Sequence, residues 1–280
     1  MQYLGKVGIH AGALARGQDD KRNCHEDPFS SALACFTDTI SPRKRAGITQ
    51  SFGGVTVATV VFDLDGTLVD TAADLVAAAN ACFAARGMGT PLDPIADAKT
   101  AFHGGRAMLA LGHARHGTAD AASLIEEDYL RLLAHYADHI CVHSRLYPGA
   151  AGAVATLRSA GYRTAICTNK PEVLARDLID ELGVASLFDA LIGADTLPTR
   201  KPDPAPYHAA VARAGGVVAR SLLIGDTETD RETARAVGVP CVLVGFGPEG
   251  GAISRLAPEA MLDSYADLSG VMARLLPLHG

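Results

Sequence analysis

The sequence lacks the features that would place the protein in a membrane, on nucleic acid or in a disulfide-bonded class. No apolar stretch approaches the length that spans a bilayer, and the N-terminus has no basic region followed by a hydrophobic one. The six cysteines form no C-x-x-C pair and no metal-ligand spacing, and Cys82, Cys167 and Cys241 fall in apolar stretches. The formal net charge is -6 at pH 7, which gives no general affinity for nucleic acid or anionic membranes. We therefore expect a cytoplasmic protein with reduced, buried cysteines.

The most informative segment is a short apolar run that ends in paired acids. Residues 60–71 read Val-Val-Phe-Asp-Leu-Asp-Gly-Thr-Leu-Val-Asp-Thr, which predicts a strand and then a loop that carries Asp63 and Asp65. Two carboxylates this close favour a shared proton or a bound cation. The alternative is a strand that stops at an acidic turn, where Gly66 supplies the backbone freedom.

The chain divides into a first segment without periodicity and a longer remainder. Residues 1–54 mix glycine, aspartate, arginine and serine and include a basic cluster at 43–45. We predict a weakly ordered N-terminal extension there, with a targeting or partner-binding arm as the alternative. The 280 residues are enough to bury a full core, and the oligomeric state stays open between monomer and homodimer.

From residue 55 onward, short β-branched runs alternate with helical patterns. Nearly continuous hydrophobic strands joined by helices predict an α/β, Rossmann-like fold, in which helices cover both faces of a parallel sheet. Right-handed crossovers place the carboxyl ends of all strands at one edge, where such sheets bind their ligands. The predicted strands are 57–62, 162–167, 190–193, 221–224 and 240–244, and the predicted helices lie near 149–160, 171–182, 204–214 and 229–237.

Residues 71–145 interrupt this alternation with two helical stripes and no strand. Thr71 and Asp74 have the pattern of a capping box, and the first stripe then continues to Gly87. A second stripe of the same period covers 125–136. Because the segment leaves the sheet directly after the acidic loop, we predict a helical cap domain that lies over the strand ends as a lid. The predicted catalytic core then comprises residues 55–70 and 146–280.

The predicted strands end in polar side chains that suit a phosphate and a divalent cation. The parallel topology gathers these side chains at one edge of the sheet. Several aspartates with a cation and a hydroxyl donor form a site for Mg²⁺ and a phosphoryl group, because hard oxygen ligands suit a hard ion. The side chains are Asp63, Asp65 and Thr67 after the first strand, Thr168, Asn169 and Lys170 after the second, Lys201 before the fourth, and Asp226, Thr227 and Asp230 after the fourth.

Together these segments resemble the four ordered motifs of the haloacid dehalogenase-like hydrolases. The resemblance covers about residues 55–250, and the phrase from Gly193 to Pro206 is most similar to the phosphoglycolate phosphatase branch. The helical insert is similar to the cap domain of that branch. The motifs are Asp63-Leu-Asp65-Gly-Thr67, Cys167-Thr-Asn-Lys-Pro171, Arg200-Lys-Pro202 and Gly225-Asp-Thr-Glu-Thr-Asp230.

The resemblance implies catalytic and substrate-binding roles. Asp63 would attack phosphorus and form an aspartyl phosphate, while Asp65 would protonate the leaving alkoxide and then take a proton from water. Thr168 and nearby backbone amides would hold phosphate oxygens, with Asn169 binding substrate beside them. Lys201 would offset the negative charge of the nucleophile and the transition state.

The resemblance also implies a Mg²⁺ site. The ion would be held by Asp63, the main-chain carbonyl of Asp65, and Asp226, with Asp230 fixing its shell. Each assignment has a plainer alternative when it is taken alone. Thr168 could cap the helix near 171, Lys201 could be an exposed loop lysine, Asp226 a turn residue and Asp230 a first-turn acid that serves the helix dipole.

The presence of Asp65 favours phosphoryl transfer over cleavage of a carbon–halogen bond. The dehalogenases that the chain resembles lack this second aspartate. We expect a Mg²⁺-dependent phosphatase that acts on a small phosphorylated metabolite, with 2-phosphoglycolate as the best candidate. A sugar phosphomutase would use the same two aspartates. A non-catalytic binding protein of the same fold is the third alternative.

Selectivity is expected to come from the helical insert. Residues 103–106 form a polar corner before a helix, and Arg106 could bind a substrate carboxylate through two hydrogen bonds. A surface arginine is the plainer alternative. Five histidines of the insert have spacings that fit a solvated helix face better than a metal cluster. They are His113, His116, His135, His139 and His143.

Overall fold

The computed structural model describes residues 57–278, which are built around one parallel sheet. In chain order the strands are β1 (Thr59–Phe62), β2 (Val69–Asp70), β3 (Arg145–Leu146), β4 (Arg163–Cys167), β5 (Ala190–Ile192), β6 (Ser221–Gly225), β7 (Cys241–Val244) and β8 (Ala260–Leu262). The main sheet has the order β5-β4-β1-β6-β7-β8, and every neighbouring pair in it is parallel. Strands β2 and β3 form a separate antiparallel ribbon. The central position of β1 places the acidic loop that follows it in the middle of the sheet edge.

Helices cover both faces of the sheet. They are α1 (Ala72–Ala85), α2 (Ala98–Phe102), α3 (Gly105–Arg115), α4 (Ala122–Asp138), α5 (Ala150–Ala160), α6 (Glu172–Glu181), α7 (Pro204–Arg213), α8 (Glu228–Val237) and α9 (Leu268–Leu275). Successive strand residues point to opposite sides, so Val60 and Phe62 of β1 belong to one buried cluster and Val61 to another. Residues of α5, α6 and α9 join the first cluster, and residues of α7 and α8 join the second. The predicted α/β fold is confirmed.

The helical insert begins and ends at the β2–β3 ribbon. Val69 pairs with Leu146 and Asp70 with Arg145, so the chain leaves the sheet and returns to it at one place. Helices α1 to α4 lie between these two strands and share a buried cluster of their own. Leu174 of α6 belongs to the same cluster, which joins the insert to the main body. The domain boundaries given above stay a prediction.

Thr71 and Asp74 do not form the predicted capping box, and that prediction was wrong. The Thr71 hydroxyl donates to Oδ1 of Asp65 at 2.7 Å and makes no cap bond to α1. Asp74 accepts hydrogen bonds from the backbone N–H groups of His143 and Ser144 and from the Ser144 hydroxyl, at 2.9, 2.8 and 2.7 Å. Asp74 therefore connects the start of the insert to its end, and Thr71 holds the Asp65 carboxylate of the acidic loop.

Further differences from the predicted pattern lie in short or buried elements. Helix α2 has five residues and β8 has three, Ala-Met-Leu, without a β-branched side chain; neither was predicted. The solvated face expected for the insert histidines is wrong for His113, which is 1% exposed. Its ring packs edge-on against Phe83, and its Nε2 lies 3.7 Å from Oδ2 of the buried Asp128.

The predicted burial of three cysteines is confirmed, since Cys82, Cys167 and Cys241 are all buried with free thiols. Within residues 57–278, no helix has both the length and the apolar character that a membrane span requires. The predicted N-terminal extension, residues 1–54, lies outside the described residues.

Candidate active site

Three parallel strands deliver polar side chains to one point at the sheet edge. Register aligns Phe62 of β1 with Ile166 of β4 and Ile224 of β6, so the residues that follow these strand positions lie side by side. The backbone N–H of Asp63 donates to the Ile224 carbonyl at 2.8 Å, which continues the ladder one residue beyond β1. Because sheet pairing holds the backbone here, the side chains after β1, β4 and β6 start from fixed positions.

One buried ammonium group joins two of the predicted site residues. Nζ of Lys201 lies 3.0 Å from Oδ1 of Asp63 and 2.6 Å from Oδ1 of Asp230. Burial opposes the charge on Lys201, but the charges of Asp230 and Asp63 outweigh it and raise the pKa of the ammonium. Lys201 is therefore a buried, permanently charged cation rather than an exposed loop lysine.

The Asp63 carboxyl carries a strongly shifted pKa. Burial and the charges of Asp230 and Asp65 together raise the pKa of Asp63 to about 7, against the lowering effect of Lys201. Without further positive charge, this carboxyl is only about half ionised at pH 7. The protein residues alone thus leave the site with too much negative charge for its degree of burial.

Asp226 has one satisfied and one unsatisfied oxygen. Its Oδ1 accepts a hydrogen bond from the Thr67 hydroxyl at 2.8 Å, while the buried Oδ2 has no partner among the described residues. Burial raises the pKa of Asp226 well above its usual range, and the charges of Asp63 and Asp230 add to the effect. Gly66, with φ +79°, leaves room for this carboxylate, because a Cβ there would lie 2.2 Å from Asp226 Oδ2.

These carboxylates fit a divalent cation. Asp63, Asp226 and Asp230 each offer an oxygen, and the three oxygens lie within 4.8 Å of one another. The unpartnered Asp226 Oδ2 and the raised pKa values of Asp63 and Asp226 are what a buried cation would correct, since its charge favours the ionised carboxylates. An all-oxygen donor set suits Mg²⁺.

Asp230 is the most fully engaged of the three acids. Its Oδ2 accepts from the Thr227 N–H at 3.1 Å, and its backbone N–H donates to Thr227 Oγ1 at 3.4 Å, which together form the capping box of α8. The Thr227 hydroxyl also donates to Oδ2 of Asp230 at 2.7 Å. Oδ1 of Asp230 accepts from Lys201. Asp230 is thus both a first-turn acid, as in the plainer alternative, and a partner of the site lysine.

Asp65 has other partners than the three clustered carboxylates. Its Oδ1 accepts from the Thr71 hydroxyl at 2.7 Å and from Nζ of Lys170 at 3.0 Å. Burial opposes the charge of Lys170, but Asp65 outweighs it and raises the pKa of the ammonium. The Lys170 Nζ also lies 4.2 Å from the ring centroid of Tyr136 on α4. Lys170 was predicted to lie at this edge of the sheet, within the Cys167–Pro171 motif, but was given no role in the reaction. Tyr136 was not among the predicted site residues.

Thr168 and Asn169 shape the loop that carries Lys170. Thr168 Oγ1 accepts from the Lys170 backbone N–H at 3.2 Å, whereas α6 begins after Pro171 with no side-chain cap. The helix-cap alternative for Thr168 therefore does not describe its contacts. The exposed Asn169 donates from Nδ2 to the Lys201 carbonyl at 3.0 Å and so links two of the site loops.

The sheet edge and the insert enclose a cavity of about 460 Å³. Six predicted site residues line it, and the other two, Asp226 and Asp230, do not. At the insert side, Arg106 makes two hydrogen bonds to Glu126, at 2.7 and 2.8 Å, and its guanidinium carbon lies 3.6 Å from the ring centroid of Tyr129. The predicted site residues that line the cavity are Asp63, Asp65, Arg106, Thr168, Asn169 and Lys201.

The family model, the similar sequences and the similar structures found by comparison with known proteins agree with one another. Residues 57–238 match the family model of haloacid dehalogenase-like hydrolases. A phosphoglycolate phosphatase of Mesorhizobium japonicum is 40% identical over 221 residues, which cover 78% of this chain and 95% of the relative. One from Caulobacter vibrioides is 38% identical over 220 residues, which cover 78% of this chain and 92% of the relative. A crystal structure described as a predicted phosphoglycolate phosphatase from Haemophilus somnus shares the fold, with a TM-score of 0.69 at 24% identity, and covers 81% of this chain and 100% of its own.

Proposed function

Because the chain belongs to the haloacid dehalogenase-like hydrolases, we propose that it is a Mg²⁺-dependent phosphatase of a small phosphomonoester, with 2-phosphoglycolate as the best candidate. Relatives at 36 to 40% identity that carry the name phosphoglycolate phosphatase support this substrate. The cavity between insert and sheet edge suits a small phosphorylated metabolite in size.

One arrangement supports the proposal above all others. Asp63 and Asp65 both line the cavity, and each carboxylate is paired with a different buried lysine. Nζ of Lys201 lies 3.0 Å from Oδ1 of Asp63, and Nζ of Lys170 lies 3.0 Å from Oδ1 of Asp65. Two acids with separate partners can act on one phosphorus from different directions.

The first half of the reaction transfers the phosphoryl group to the protein. An oxygen of Asp63 attacks phosphorus, and the bond between phosphorus and the ester oxygen breaks. Asp65 gives its proton to that ester oxygen, which leaves as an alcohol. Lys201 stays charged throughout and offsets the negative charge that builds up beside Asp63.

The second half returns the protein to its starting state. Asp65 takes a proton from water, whose oxygen attacks phosphorus and breaks the bond to Asp63, so that inorganic phosphate forms. Mg²⁺, when bound, would be held by Asp63, the main-chain carbonyl of Asp65, and Asp226, with Asp230 behind them, and supplies positive charge for the phosphate oxygens.

Phosphate release from a panel of esters tests the proposal. The panel contains 2-phosphoglycolate, a sugar phosphate, phenyl phosphate and pyrophosphate, each with Mg²⁺ and with a chelator. We expect turnover only with Mg²⁺ and the highest kcat/KM on 2-phosphoglycolate. Asp63→Asn should lower turnover at least about a thousandfold while the protein stays folded. Asp177→Asn, an exposed acid on α6, is the matched control and should keep full activity.

Other outcomes separate the alternatives. Substantial activity in Asp63→Asn would remove this residue as the nucleophile. Turnover that requires an activating sugar bisphosphate would identify a phosphomutase, because that enzyme returns the phosphoryl group to its substrate. A protein that releases no phosphate from any ester, with no effect of Mg²⁺, would be a binding protein.

A further inference from the structure

Lys170 is a buried lysine whose partner is the proposed acid and base of the reaction. Its Nζ lies 3.0 Å from Oδ1 and 3.3 Å from Oδ2 of Asp65, and its side chain is 4% exposed. The backbone of Lys170 is fixed on both sides. Its N–H donates to Thr168 Oγ1 at 3.2 Å, and its carbonyl accepts from the Ala194 N–H at 2.9 Å. The loop after β4 therefore delivers the ammonium to one point beside Asp65.

The insert covers the other side of this ammonium. The ring centroid of Tyr136 lies 4.2 Å from Nζ of Lys170. The ring is buried in the cluster that joins the insert to Leu174 of the main body. Among residues 57–278, Asp65 is the one carboxylate that is paired with this ammonium. The pair restrains the Asp65 carboxylate, because its movement would leave a buried charge without a partner.

The two oxygens of the Asp65 carboxylate are held unequally. Oδ1 accepts two hydrogen bonds, from the Thr71 hydroxyl at 2.7 Å and from Lys170 at 3.0 Å. Among the described residues, Oδ2 has only the longer contact with the same ammonium, at 3.3 Å. The Asp65 side chain is 18% exposed, and the residue lines the cavity. Oδ1 is therefore the anchored oxygen, and Oδ2 is the oxygen that retains bonding capacity for a proton.

We propose that Lys170 is a positioning residue for Asp65 and that it anchors Oδ1 so that Oδ2 exchanges the proton with the leaving oxygen and with water. The proposal rests on the proposed phosphatase function. In the first half of the reaction, the proton on Oδ2 moves to the ester oxygen as the bond from that oxygen to phosphorus breaks. The negative charge that this leaves on Asp65 lies beside the Lys170 ammonium. In the second half, Oδ2 takes a proton from the attacking water, and Lys170 keeps its own protons throughout.

The leaving group determines how strongly the reaction depends on this position. The alkoxide of glycolate leaves slowly without a proton, whereas 4-nitrophenolate leaves without one. Loss of Lys170 should therefore slow phosphoryl transfer from an alkyl ester but not from 4-nitrophenyl phosphate. The ratio kcat/KM makes this comparison, because it reports the steps up to release of the alcohol and not the later hydrolysis of the aspartyl phosphate.

The test measures kcat/KM on 2-phosphoglycolate and on 4-nitrophenyl phosphate, both with Mg²⁺. We expect Lys170→Met to lose about a hundredfold on 2-phosphoglycolate and less than about twofold on 4-nitrophenyl phosphate. Hydrolysis of the aspartyl phosphate also needs Asp65. The kcat of Lys170→Met on 4-nitrophenyl phosphate should therefore fall, and acid quenching should trap phosphate on the protein. Lys170→Arg keeps the charge and should recover part of the loss on 2-phosphoglycolate.

A double variant tests whether Lys170 acts through Asp65. Asp65→Asn/Lys170→Met leaves no buried charge without a partner, so it keeps the test open if Lys170→Met alone does not fold. Relative to Asp65→Asn, the added substitution should not lower kcat/KM on either ester. A further loss of tenfold or more would show that Lys170 acts on another group and would overturn the proposal.

Lys99→Met is the matched control. The Lys99 ammonium pairs with Glu249, neither residue lines the cavity, and kcat/KM should stay unchanged on both esters. Equal losses of Lys170→Met on both esters, or no loss on either, would overturn the proposal while the phosphatase function stands. If the wild-type protein prefers another alkyl phosphate, the comparison is made on that ester and only the substrate assignment fails. A wild-type protein that hydrolyses no ester would end both proposals.

Discussion

The ammonium of Lys201 lies 2.6 Å from Oδ1 of Asp230, and these side chains are 2% and 0% exposed. The same ammonium lies 3.0 Å from Asp63. One cation is therefore paired with two buried carboxylates, one at the end of β1 and one in the first turn of α8. Charges that are buried in this way are tolerated only while they remain paired.

Removal of this cation should destabilise the fold strongly. Lys201→Met leaves two carboxylates buried without a positive partner, so we expect the free energy of unfolding in metal-free buffer to fall by about 3–5 kcal/mol. Urea unfolding at neutral pH measures the change. In the double variant Lys201→Met/Asp230→Asn one of the stranded charges is gone, and part of the loss should return. A single variant as stable as the wild type would show that the pair contributes little.

The stability of the metal-free protein should depend on pH through Asp63. Its pKa is raised from an ordinary 3.8 to about 7 in the folded state, so the folded protein binds this proton more tightly than the unfolded chain. The contribution of this proton to the free energy of unfolding is complete below about pH 4 and is lost as the pH rises through 7. Between pH 5 and pH 8, Asp63→Asn should therefore gain about 2–3 kcal/mol of stability relative to the wild type. Urea unfolding of both proteins in chelator, with the exposed Asp177→Asn as reference, measures this difference; an equal pH dependence in the two would contradict it.

Magnesium affinity should depend on a residue that is not itself a proposed ligand. The Thr67 hydroxyl donates to Asp226 Oδ1 and so directs Oδ2 of the same carboxylate. In Thr67→Val that direction is lost, and we expect Mg²⁺ to bind about tenfold more weakly. Calorimetric titration with Mg²⁺ alone measures the affinity. Thr156→Val removes a comparable hydroxyl from the exposed face of α5 and should leave it unchanged. Unaltered affinity in Thr67→Val would mean that the carboxylate is oriented by other groups.

The sequence predicts best where one local rule decides the structure. Hydrophobic runs that end in Asp63, Thr168 and Asp226 predict parallel strands, and the parallel pairing then brings their ends together whatever the rest of the chain does. The alignment of these three strand ends could therefore be predicted without coordinates.

Contacts between distant segments escape such rules. Thr71 and Asp74 have the spacing of a capping box. However, the Thr71 hydroxyl bonds to Asp65, and Asp74 bonds to the backbone at 143–144. Those partners are remote in sequence or belong to another loop, so no local pattern reports them. The same holds for Tyr136, whose helical period predicts a core position but not the lysine beneath its ring.

Arg106 allows a test of the predicted substrate carboxylate contact. Its guanidinium lines the cavity but is held by Glu126, whose carboxylate occupies the two donors that a substrate carboxylate would use. Glu126→Gln should free these donors and lower KM for 2-phosphoglycolate about two- to fivefold, a modest gain because the pair is exposed to solvent. Arg106→Gln should raise the same KM, and neither change should affect phenyl phosphate, which has no carboxylate. Glu127→Gln is the matched control, because Glu127 pairs with Arg86 and Arg131 and does not line the cavity. If KM for 2-phosphoglycolate is the same in Glu126→Gln, Arg106→Gln and the wild type, Arg106 is a surface arginine and the carboxylate must be bound elsewhere.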